Sequence, residues 1–382
     1  MKICFWGNVA GALNGNTNGG GELQISLLAK GLVKCGHEVV VIDYNATEDF
    51  VTPEGIKVFK INGWDKGIRI IRTITHRLPF LYKSLKDQKA DIYYCRIRDF
   101  RHILAYWAAR KARGKFIIQM ASDLDAMSFR TKFKNKLFTS IGDLFWFFNS
   151  VLVEIVYPFL LRNADLVLVQ HEGQKKILKE RNINSTIFLN LYELKLINNY
   201  NARIHKDFIY VGWLDKRKGF PKFFELVQKS PSRSFKVIGP PRDDIGNYYF
   251  EKLKTFPNVT LLGELNHSQT VSHMADSLAL ISTSPMEGFP NIFIEAWACG
   301  IPVLSLNVDP GNVIEKERLG VIVHGDMNKL IESLVYILPS EEFAEKAKKY
   351  VENNHALNAR KEAEINTLFN ELYYGSDSKR NY

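Results

Sequence analysis

The sequence predicts an α/β protein with two domains, each built on a parallel sheet, and three observations point to this fold class. The chain has 382 residues, which is more than one hydrophobic core usually accommodates, so two domains are expected. Short apolar runs of strand length alternate with segments of helical spacing in both halves of the chain, as in βαβ units. Residues 278–306 show one such unit from end to end.

This unit reads as strand, loop, helix and strand. The apolar run 278–281 leads into a loop broken by proline and glycine. Residues 291–299 have helical spacing, and Gly300 follows them at the position of a helix C-terminal glycine. The apolar run 302–306 then predicts a second parallel strand. The loop therefore leaves the carboxyl end of a strand, where ligands of open α/β sheets bind.

Two glutamates flank the junction between this loop and its helix. Glu287 lies in the loop, and Glu295 follows eight residues later, one turn into the helix. A carboxylate accepts hydrogen bonds from hydroxyl groups, and a helix N-terminus favours a phosphate. One glutamate could hold a sugar and the other a ribose, with a diphosphate between them. The alternative is that Glu287 is a solvated loop residue and Glu295 a partner of the helix dipole.

Composition indicates a globular protein of a reducing compartment. Hydrophobic residues make up 46% of the chain, as is usual for globular proteins. The four cysteines are scattered without metal-ligand spacing, which favours buried thiols over disulfides and metal sites. We expect neither a signal peptide, because a strand-like run begins at Ile3, nor a transmembrane helix, because no apolar run of sufficient length occurs. A cytoplasmic location follows as an expectation.

The net charge of +10 is concentrated in the first half of the chain. Residues 1–200 hold 29 basic and 18 acidic residues, and residues 57–115 alone hold 16 and 4. A nucleic-acid groove is one explanation, but no nucleic-acid-binding motif accompanies the charge. We therefore expect no nucleic-acid partner, and favour attraction to an anionic membrane surface or to a phosphorylated acceptor.

A glycine-rich loop opens the first half. Six glycines occur between Gly7 and Gly21, between a predicted strand at 2–6 and a predicted helix at 22–34. Such a loop lets the backbone approach a ligand closely. The loop matches neither a phosphate-binding P-loop nor a clean dinucleotide fingerprint. A mobile surface loop is the alternative interpretation.

Acidic residues follow a later strand of the first half. The strand predicted at 115–120 is followed by A-S-D-L-D, which contains Asp123 and Asp125. Either carboxylate could bind or deprotonate an acceptor hydroxyl, and a helix N-cap is the alternative for each. His102 lies on a predicted helix and is interpreted as structural. Residues 132–161 combine lysines with aromatic residues, which suits either a membrane-docking segment or a long helix packed on the sheet.

The second half opens with a strand that leads into a basic loop. A linker is expected near residues 193–203, and the second domain starts at Asp207 with F-I-Y-V-G-W-L-D-K-R-K-G-F. Lys218 could reach a diphosphate as a point charge, and a solvated turn at residues 216–218 is the alternative. A further strand ends at G-P-P, which begins at Gly239.

The string E-G-F-P-N-I-F-I-E-A-W-A-C-G-I-P-V, from Glu287 to Val303, closely resembles the E-x7-E signature of retaining glycosyltransferases with the GT-B fold, family 4 type. The glycine-rich loop and the basic loop also resemble that family. The resemblance implies two Rossmann-like domains facing each other across a cleft. The first, 1–197, would bind the acceptor, with a terminal helix at about 358–374 packing back on it. The second, 203–357, would bind the donor.

The resemblance also implies a set of site residues. Glu287 would contact the donor sugar, Glu295 the donor ribose and Lys218 the diphosphate. Together with the analysis of the residues themselves, the resemblance predicts Glu287, Lys218 and Asp123 as the catalytic residues. The residues predicted to bind the donor are Gly20, Gly21, Arg217, Lys218, Gly239, Glu287, Gly288, Phe289, Pro290, Asn291 and Glu295.

The chain departs from the family pattern at two positions. Trp213 stands where the family has an arginine, and Ser122 stands where many members have a histidine. The missing positive charge would have to come from elsewhere, with Arg217 or a basic residue of the first domain as candidates.

The reaction implied by the resemblance is transfer of a sugar, with retention of configuration, from a UDP- or GDP-linked donor to a hydroxyl group. The acceptor would be a saccharide or a lipid-linked molecule, in surface polysaccharide or glycolipid synthesis. Neither a cofactor nor a metal would be needed, and the protein would be cytoplasmic or peripheral on the inner face of the membrane. The alternatives are a nucleotide-sugar-binding scaffold and another sugar-phosphate enzyme, a phosphorylase or an epimerase.

Overall fold

The structure, a computed structural model, describes residues 1–15, 19–68, 71–127, 141–194 and 206–375, with backbone alone for residues 141–148. The chain divides into two compact units. The first comprises Met1–Leu191 and Leu357–Tyr382, and the second comprises Tyr192–Ala356. Most of the linker predicted at 193–203 lies outside the described residues, as do the lysines at 132–136 of the predicted membrane-docking segment.

The first unit is built on an eight-stranded sheet. Its strands are β1 (Lys2–Gly7), β2 (Glu38–Asp43), β3 (Phe50–Val51), β4 (Lys57–Lys60), β5 (Ile92–Arg96), β6 (Lys115–Gln119), β7 (Leu166–Val169) and β8 (Thr186–Ile187). They lie in the order β3-β4-β2-β1-β5-β6-β7-β8, and only the β3–β4 pair is antiparallel. The direction of winding reverses between β1 and β5, so this is a doubly wound, Rossmann-like sheet.

Helices cover both faces of this sheet. They are α1 (Ala10–Leu13), α2 (Gly20–Lys34), α3 (Leu78–Gln88), α4 (His102–Ala112), α5 (Asp123–Ala126), α6 (Ile141–Asn163) and α7 (Glu172–Glu180), with a π-helical turn Thr73–Arg77 before α3. Along β1, Ile3 and Phe5 enter the core beside α2, whereas Cys4 and Trp6 enter the core beside α3 and α4. Burial on both faces explains why the strands read as continuous apolar runs.

The second unit holds a six-stranded, wholly parallel sheet. Its strands are β9 (Asp207–Val211), β10 (Ser234–Ile238), β11 (Val259–Gly263), β12 (Ala279–Ser282), β13 (Val303–Ser305) and β14 (Gly320–Ile322), in the order β11-β10-β9-β12-β13-β14. This is the doubly wound order of a dinucleotide-binding sheet, with its switch point between β9 and β12. The predicted class, α/β with two Rossmann-like domains, is confirmed.

The helices of the second unit are α8 (Phe220–Lys229), α9 (Asp244–Leu253), α10 (His267–Ala275), α11 (Asn291–Ala298), α12 (Val313–Lys316), α13 (Met327–Tyr336) and α14 (Glu341–Asn354). Of these, α8 to α12 lie between successive strands, and α13 and α14 follow the last strand. The last helix, α15 (Ala359–Tyr374), belongs to the first unit, where Lys34 of α2 pairs with Glu362 at 2.9 Å. None of the helices that the structure describes has the length and hydropathy needed to span a bilayer.

One detail of the helices differs from the sequence prediction. The glycine-rich loop contains α1, because the Asp43 carboxylate accepts hydrogen bonds from the backbone of Val9 and Ala10 at 2.6 and 2.7 Å. This carboxylate comes from a strand more than thirty residues away, so no local signal reveals it. The terminal helix implied at about 358–374 begins at Ala359, because the Asn358 side chain caps it by accepting from Lys361 N at 3.0 Å.

His102 is a buried link between α4 and β1. The indole N–H of Trp6 donates to His102 Nδ1 at 2.9 Å, so the ring proton lies on Nε2, which donates to the Ile97 carbonyl at 2.6 Å. Burial lowers the pKa of His102 below its ordinary value of 6.5. Protonation would place a second donor against the indole N–H, so the folded state favours the neutral ring.

We expect the stabilisation from neutral His102 to be present above about pH 6.5, where the unfolded histidine is also neutral, and to be lost as the pH falls through the lower folded pKa. His102→Asn should therefore be less stable than the parent protein by about 1–3 kcal/mol near pH 8. Urea denaturation of both proteins between pH 8 and 5.5 would show the difference narrowing with acidity. A difference that stays constant would contradict this role.

Candidate functional site

The candidate site lies at the carboxyl edge of the second sheet, at its switch point. β9 and β12 are parallel neighbours, with Phe208 paired to Ala279 and Ile209 to Leu280. The loops that follow these strands, residues 212–219 and 283–290, therefore leave the same edge of the sheet side by side. This is the position at which doubly wound sheets bind ligands.

These two loops bring Lys218 and Glu287 together. The Lys218 Nζ donates to Glu287 Oε1 at 2.6 Å, across 69 residues of sequence. The side chains are 29% and 21% exposed, so a ligand can reach both of them. The sequence singled out both residues, and the structure joins them in an ion pair.

Hydrogen bonds between the loops fix the position of Lys218. Its backbone N–H donates to Asp215 Oδ1 at 2.7 Å, and the buried Thr283 hydroxyl donates to the Gly219 carbonyl at 2.9 Å. Burial raises the pKa of Tyr210, so its hydroxyl stays protonated and donates to the Lys218 carbonyl at 3.4 Å. These hydrogen bonds fix the backbone of the loop at Lys218, while the Lys218 side chain remains partly exposed.

The helix α11 adds the positive end of a helix dipole to this edge. It begins at Asn291, and its N-cap residue Pro290 makes no side-chain cap. The side chains of Phe289 and Pro290 are buried, and the Phe289 ring lies 5.0 Å from that of His355. These two predicted donor-binding residues therefore contribute packing through their side chains, and Gly288 between them and Glu287 is also buried.

Glu295 lies one turn into α11 and is 7% exposed. Its Oε1 is 3.6 Å from Nε2 of His267, the first residue of α10. His267 is 30% exposed and was not singled out from the sequence, because nothing in the sequence indicates that α10 packs on α11. The pair places a second carboxylate, with a basic partner, on the helix that follows the Glu287 loop.

Two further predicted residues lie on neighbouring loops. Arg217 is 68% exposed and pairs with Asp215 at 3.5 Å. Gly239 follows β10 with φ +128°, and a Cβ there would lie 2.0 Å from the Gly212 carbonyl oxygen. Glycine is therefore required at position 239 for the loops after β9 and β10 to touch.

The remaining predicted residues belong to the first unit. Gly20 and Gly21 form the first turn of α2, which begins two residues earlier than predicted. Asp123 accepts hydrogen bonds from His171 Nε2 at 2.8 Å and from Gln174 Nε2 at 2.9 Å. His171, just after β7, was missed by the sequence reasoning, which had no means of pairing the ends of β6 and β7.

Ser122, and neither Asp123 nor Asp125, is the N-cap residue of α5. Its hydroxyl accepts from Leu124 N at 3.3 Å, and Asp125 reaches back to accept from Ser122 N at 3.0 Å. The N-cap interpretation was therefore wrong for both aspartates, and Asp125 completes a capping box. Across the described ranges no three His, Cys, Asp or Glu side chains group as potential metal ligands.

Comparison with known proteins finds a family resemblance in the second unit. Residues 201–354 match the family model described as "Glycosyl transferases group 1". The matched segment is thus similar to a glycosyl transferases group 1 domain. Its ends nearly coincide with those of the second unit, so Lys218, Glu287 and Glu295 all lie within it.

One curated relative is the capsular polysaccharide biosynthesis glycosyltransferase CapM of Staphylococcus aureus, which is 26% identical over 201 residues, 48% of this chain and 52% of the relative. The curated relatives that the chain matches are aligned over 40–52% of their own length, about half.

Two solved structures share the fold. Sucrose-phosphate synthase from Thermosynechococcus elongatus superposes with a TM-score of 0.73, 15% identity and coverage of 99% of this chain and 100% of that one. Anabaena Alr3699/HepE in complex with UDP-glucose gives a TM-score of 0.67, 13% identity and coverage of 99% and 100%. The GT-B fold predicted for the chain is thereby confirmed.

We expect Gly219→Ala to break the candidate site. Gly219 has φ +70°, and a Cβ there would lie 1.9 Å from the Thr283 carbonyl oxygen. Gly263→Ala is a matched control, because Gly263 also has φ +70° but open space around it. The control should lose about 1–2 kcal/mol through backbone conformation alone, and Gly219→Ala clearly more. Equal losses in chemical denaturation would mean that the loop contact is unimportant.

Proposed function

We propose that the protein is a retaining glycosyltransferase of the family 4 type that transfers a sugar from a nucleotide sugar to a hydroxyl acceptor. The observation that carries this proposal is the Lys218–Glu287 pair at the switch point of a group 1 domain. A cation suits the donor diphosphate, and a carboxylate suits the hydroxyl groups of the donor sugar. Both side chains are reachable from solvent at the edge where the fold binds ligands.

Donor binding would exchange the ion pair for contacts with the substrate. The diphosphate takes over Lys218, and Glu287 turns to the sugar hydroxyls. Glu295, near His267, accepts hydrogen bonds from the ribose. The basic side chain and the N-terminus of α11 stabilise the anionic leaving group, so the proposed reaction requires neither metal nor cofactor.

The proposed chemistry needs no protein nucleophile. The bond between the anomeric carbon and the diphosphate oxygen breaks first, and its electron pair leaves with the nucleoside diphosphate. The acceptor hydroxyl then forms a bond to the anomeric carbon on the same face, and its proton passes to a phosphate oxygen. We assign Asp123 of the first unit, whose carboxylate accepts two hydrogen bonds, to binding of the acceptor substrate. The helix turn at Gly20 and Gly21 is assigned to binding of the donor.

We propose a UDP-linked donor, with a GDP-linked donor as the alternative outcome. UDP-glucose is present in the structure of Alr3699/HepE, which shares the fold. The acceptor is proposed to be a saccharide or lipid-linked precursor of a surface polysaccharide, because CapM is named for capsular polysaccharide biosynthesis.

An anionic membrane surface is the proposed location of the acceptor. Three isoleucines before α3, Ile68, Ile71 and Ile74, are 68%, 47% and 72% exposed and follow one another at intervals of three residues. They lie within the segment 57–115, which has 16 basic and 4 acidic residues. Apolar side chains beside excess positive charge fit the interface of a bilayer with anionic lipids.

We expect Lys218 and Glu287 to affect binding and transfer differently. Lys218→Ala should weaken UDP binding about tenfold to a hundredfold, through loss of a charge-assisted contact. Glu287→Gln should bind UDP at least as well as the parent, because Lys218 is released, yet lose about 100-fold or more in transfer. Calorimetry with UDP and GDP, and NMR of the product anomer from UDP-glucose and a saccharide acceptor, would measure both effects.

Lys229→Ala is the matched control, since Lys229 closes the helix that Lys218 precedes and pairs with Glu225 at 2.9 Å. Unchanged UDP binding by Lys218→Ala would show that Lys218 does not bind the diphosphate. Near-full sugar transfer by Glu287→Gln would contradict the role of Glu287 in the reaction. If the parent protein binds UDP but transfers no sugar, the result would favour a sugar-nucleotide-binding scaffold.

We expect Ile71→Ser with Ile74→Ser to release the protein from vesicles containing phosphatidylglycerol. Each buried isoleucine contributes about 1.5–3 kcal/mol, so the doubly substituted protein should bind at least tenfold more weakly in co-sedimentation. Val335→Ser is the control, because Val335 is 67% exposed on α13 of the other unit. Equal sedimentation of all three proteins would contradict the membrane proposal.

A further inference from the structure

The loop after β10 is fastened to the loop that carries Lys218. Leu214 N donates to the Pro240 carbonyl at 3.1 Å, and Arg242 N donates back to the Leu214 carbonyl at 3.2 Å. The Asp243 carboxylate also accepts from Lys216 N at 3.1 Å. The backbone at Arg242 is therefore fixed against the loop 212–219 at the carboxyl edge of the sheet.

The Arg242 side chain lies on the face of Trp213. Its guanidinium carbon is 4.3 Å from the centre of the indole ring, which is within range of a cation–π contact. Among the residues that the structure describes, no carboxylate pairs with this guanidinium and no acceptor takes a hydrogen bond from it. Stacking occupies the flat face of the guanidinium and leaves its in-plane N–H donors available.

Two other cations of the loop 212–219 are already paired with carboxylates. Lys218 is paired with Glu287 and Arg217 with Asp215. A diphosphate at this edge brings several negative charges, and each of these cations has to leave a carboxylate before it can meet them. The Arg242 side chain is held on Trp213 and is not paired with a carboxylate of the described residues. Two of its N–H groups can donate in parallel to two phosphate oxygens.

We propose that Arg242, held on the face of Trp213, binds the diphosphate of the donor. This inference rests on the proposed function and adds the source of positive charge that the sequence left open. Trp213 occupies the position of the family arginine, and here it serves as the platform on which an arginine from the neighbouring strand is stacked. Trp213 is a positioning residue, and Arg242 contacts the ligand.

The test is calorimetric titration of UDP into the full chain and its variants. Arg242→Ala should weaken UDP binding about tenfold or more. Arg242→Lys should recover only part of the loss, because an ammonium cannot bind two oxygens in the plane of a fork. Adding Trp213→Arg to Arg242→Ala should restore binding toward the parent value, since it returns a guanidinium to the same edge.

Arg233→Ala is the matched control. Arg233 precedes β10 by one residue, so it lies at the amino edge of the sheet, whereas Arg242 follows the carboxyl end of the same strand. The control should bind UDP as the parent does. Circular dichroism of each variant would confirm that the fold is retained. Because Arg242 is exposed, Arg242→Ala should fold normally, and its affinity for UDP alone decides whether the arginine binds the diphosphate.

The outcomes separate the two proposals. If the parent protein binds neither UDP nor GDP, the proposed function is overturned. If the parent binds UDP and Arg242→Ala binds it equally well, the proposed function stands and the role of Arg242 is overturned. The inference is supported if UDP affinity falls tenfold in Arg242→Ala and recovers in the protein that also carries Trp213→Arg. An arginine with a purely structural role at position 242 could not be replaced by one at position 213, in the loop after a different strand.

Discussion

The parallel pairing of β9 with β12 is the constraint on which the candidate site depends. Lys218 and Glu287 are 69 residues apart in the chain, and only this pairing brings the ends of their strands to the same edge. Thr283 then fastens the two loops by donating to the Gly219 carbonyl. Strand order places the residues within reach, and the loop hydrogen bond fixes the register in which the side chains meet.

The charged groups of the site stabilise one another. Lys218 and Glu287 are only about one-quarter exposed, so each would lose hydration if it stood alone. Pairing offsets that cost. In the same site, the buried Glu295 lies 3.6 Å from His267 Nε2. A donor that brings both an anion and hydroxyl groups can replace both halves of the pair, whereas a simple anion would leave Glu287 without its partner.

The sequence predicted those features that depend on neighbouring residues. Apolar runs revealed the strands because both faces of each sheet are buried, and the turn from Glu287 to Asn291 revealed the loop and helix. It could not predict α1, which depends on the distant Asp43 carboxylate. Nor could the sequence predict that Glu287 is partly exposed whereas Phe289 packs against His355. The burial of Phe289 depends on residues that follow α14, far from Phe289 in the sequence.

The two departures from the pattern of the family that the sequence resembles have a common structural form. Ser122 is used as a helix cap, and the nearby imidazole comes from His171, after the neighbouring strand β7. Trp213 is used as a stacking surface, and the nearby guanidinium comes from Arg242, after the neighbouring strand β10. Carboxyl ends of adjacent parallel strands lie side by side, so a side chain lost from one loop is most easily supplied by the next. Under the proposed function, each unit places its polar group one strand away from the position that the family resemblance implies.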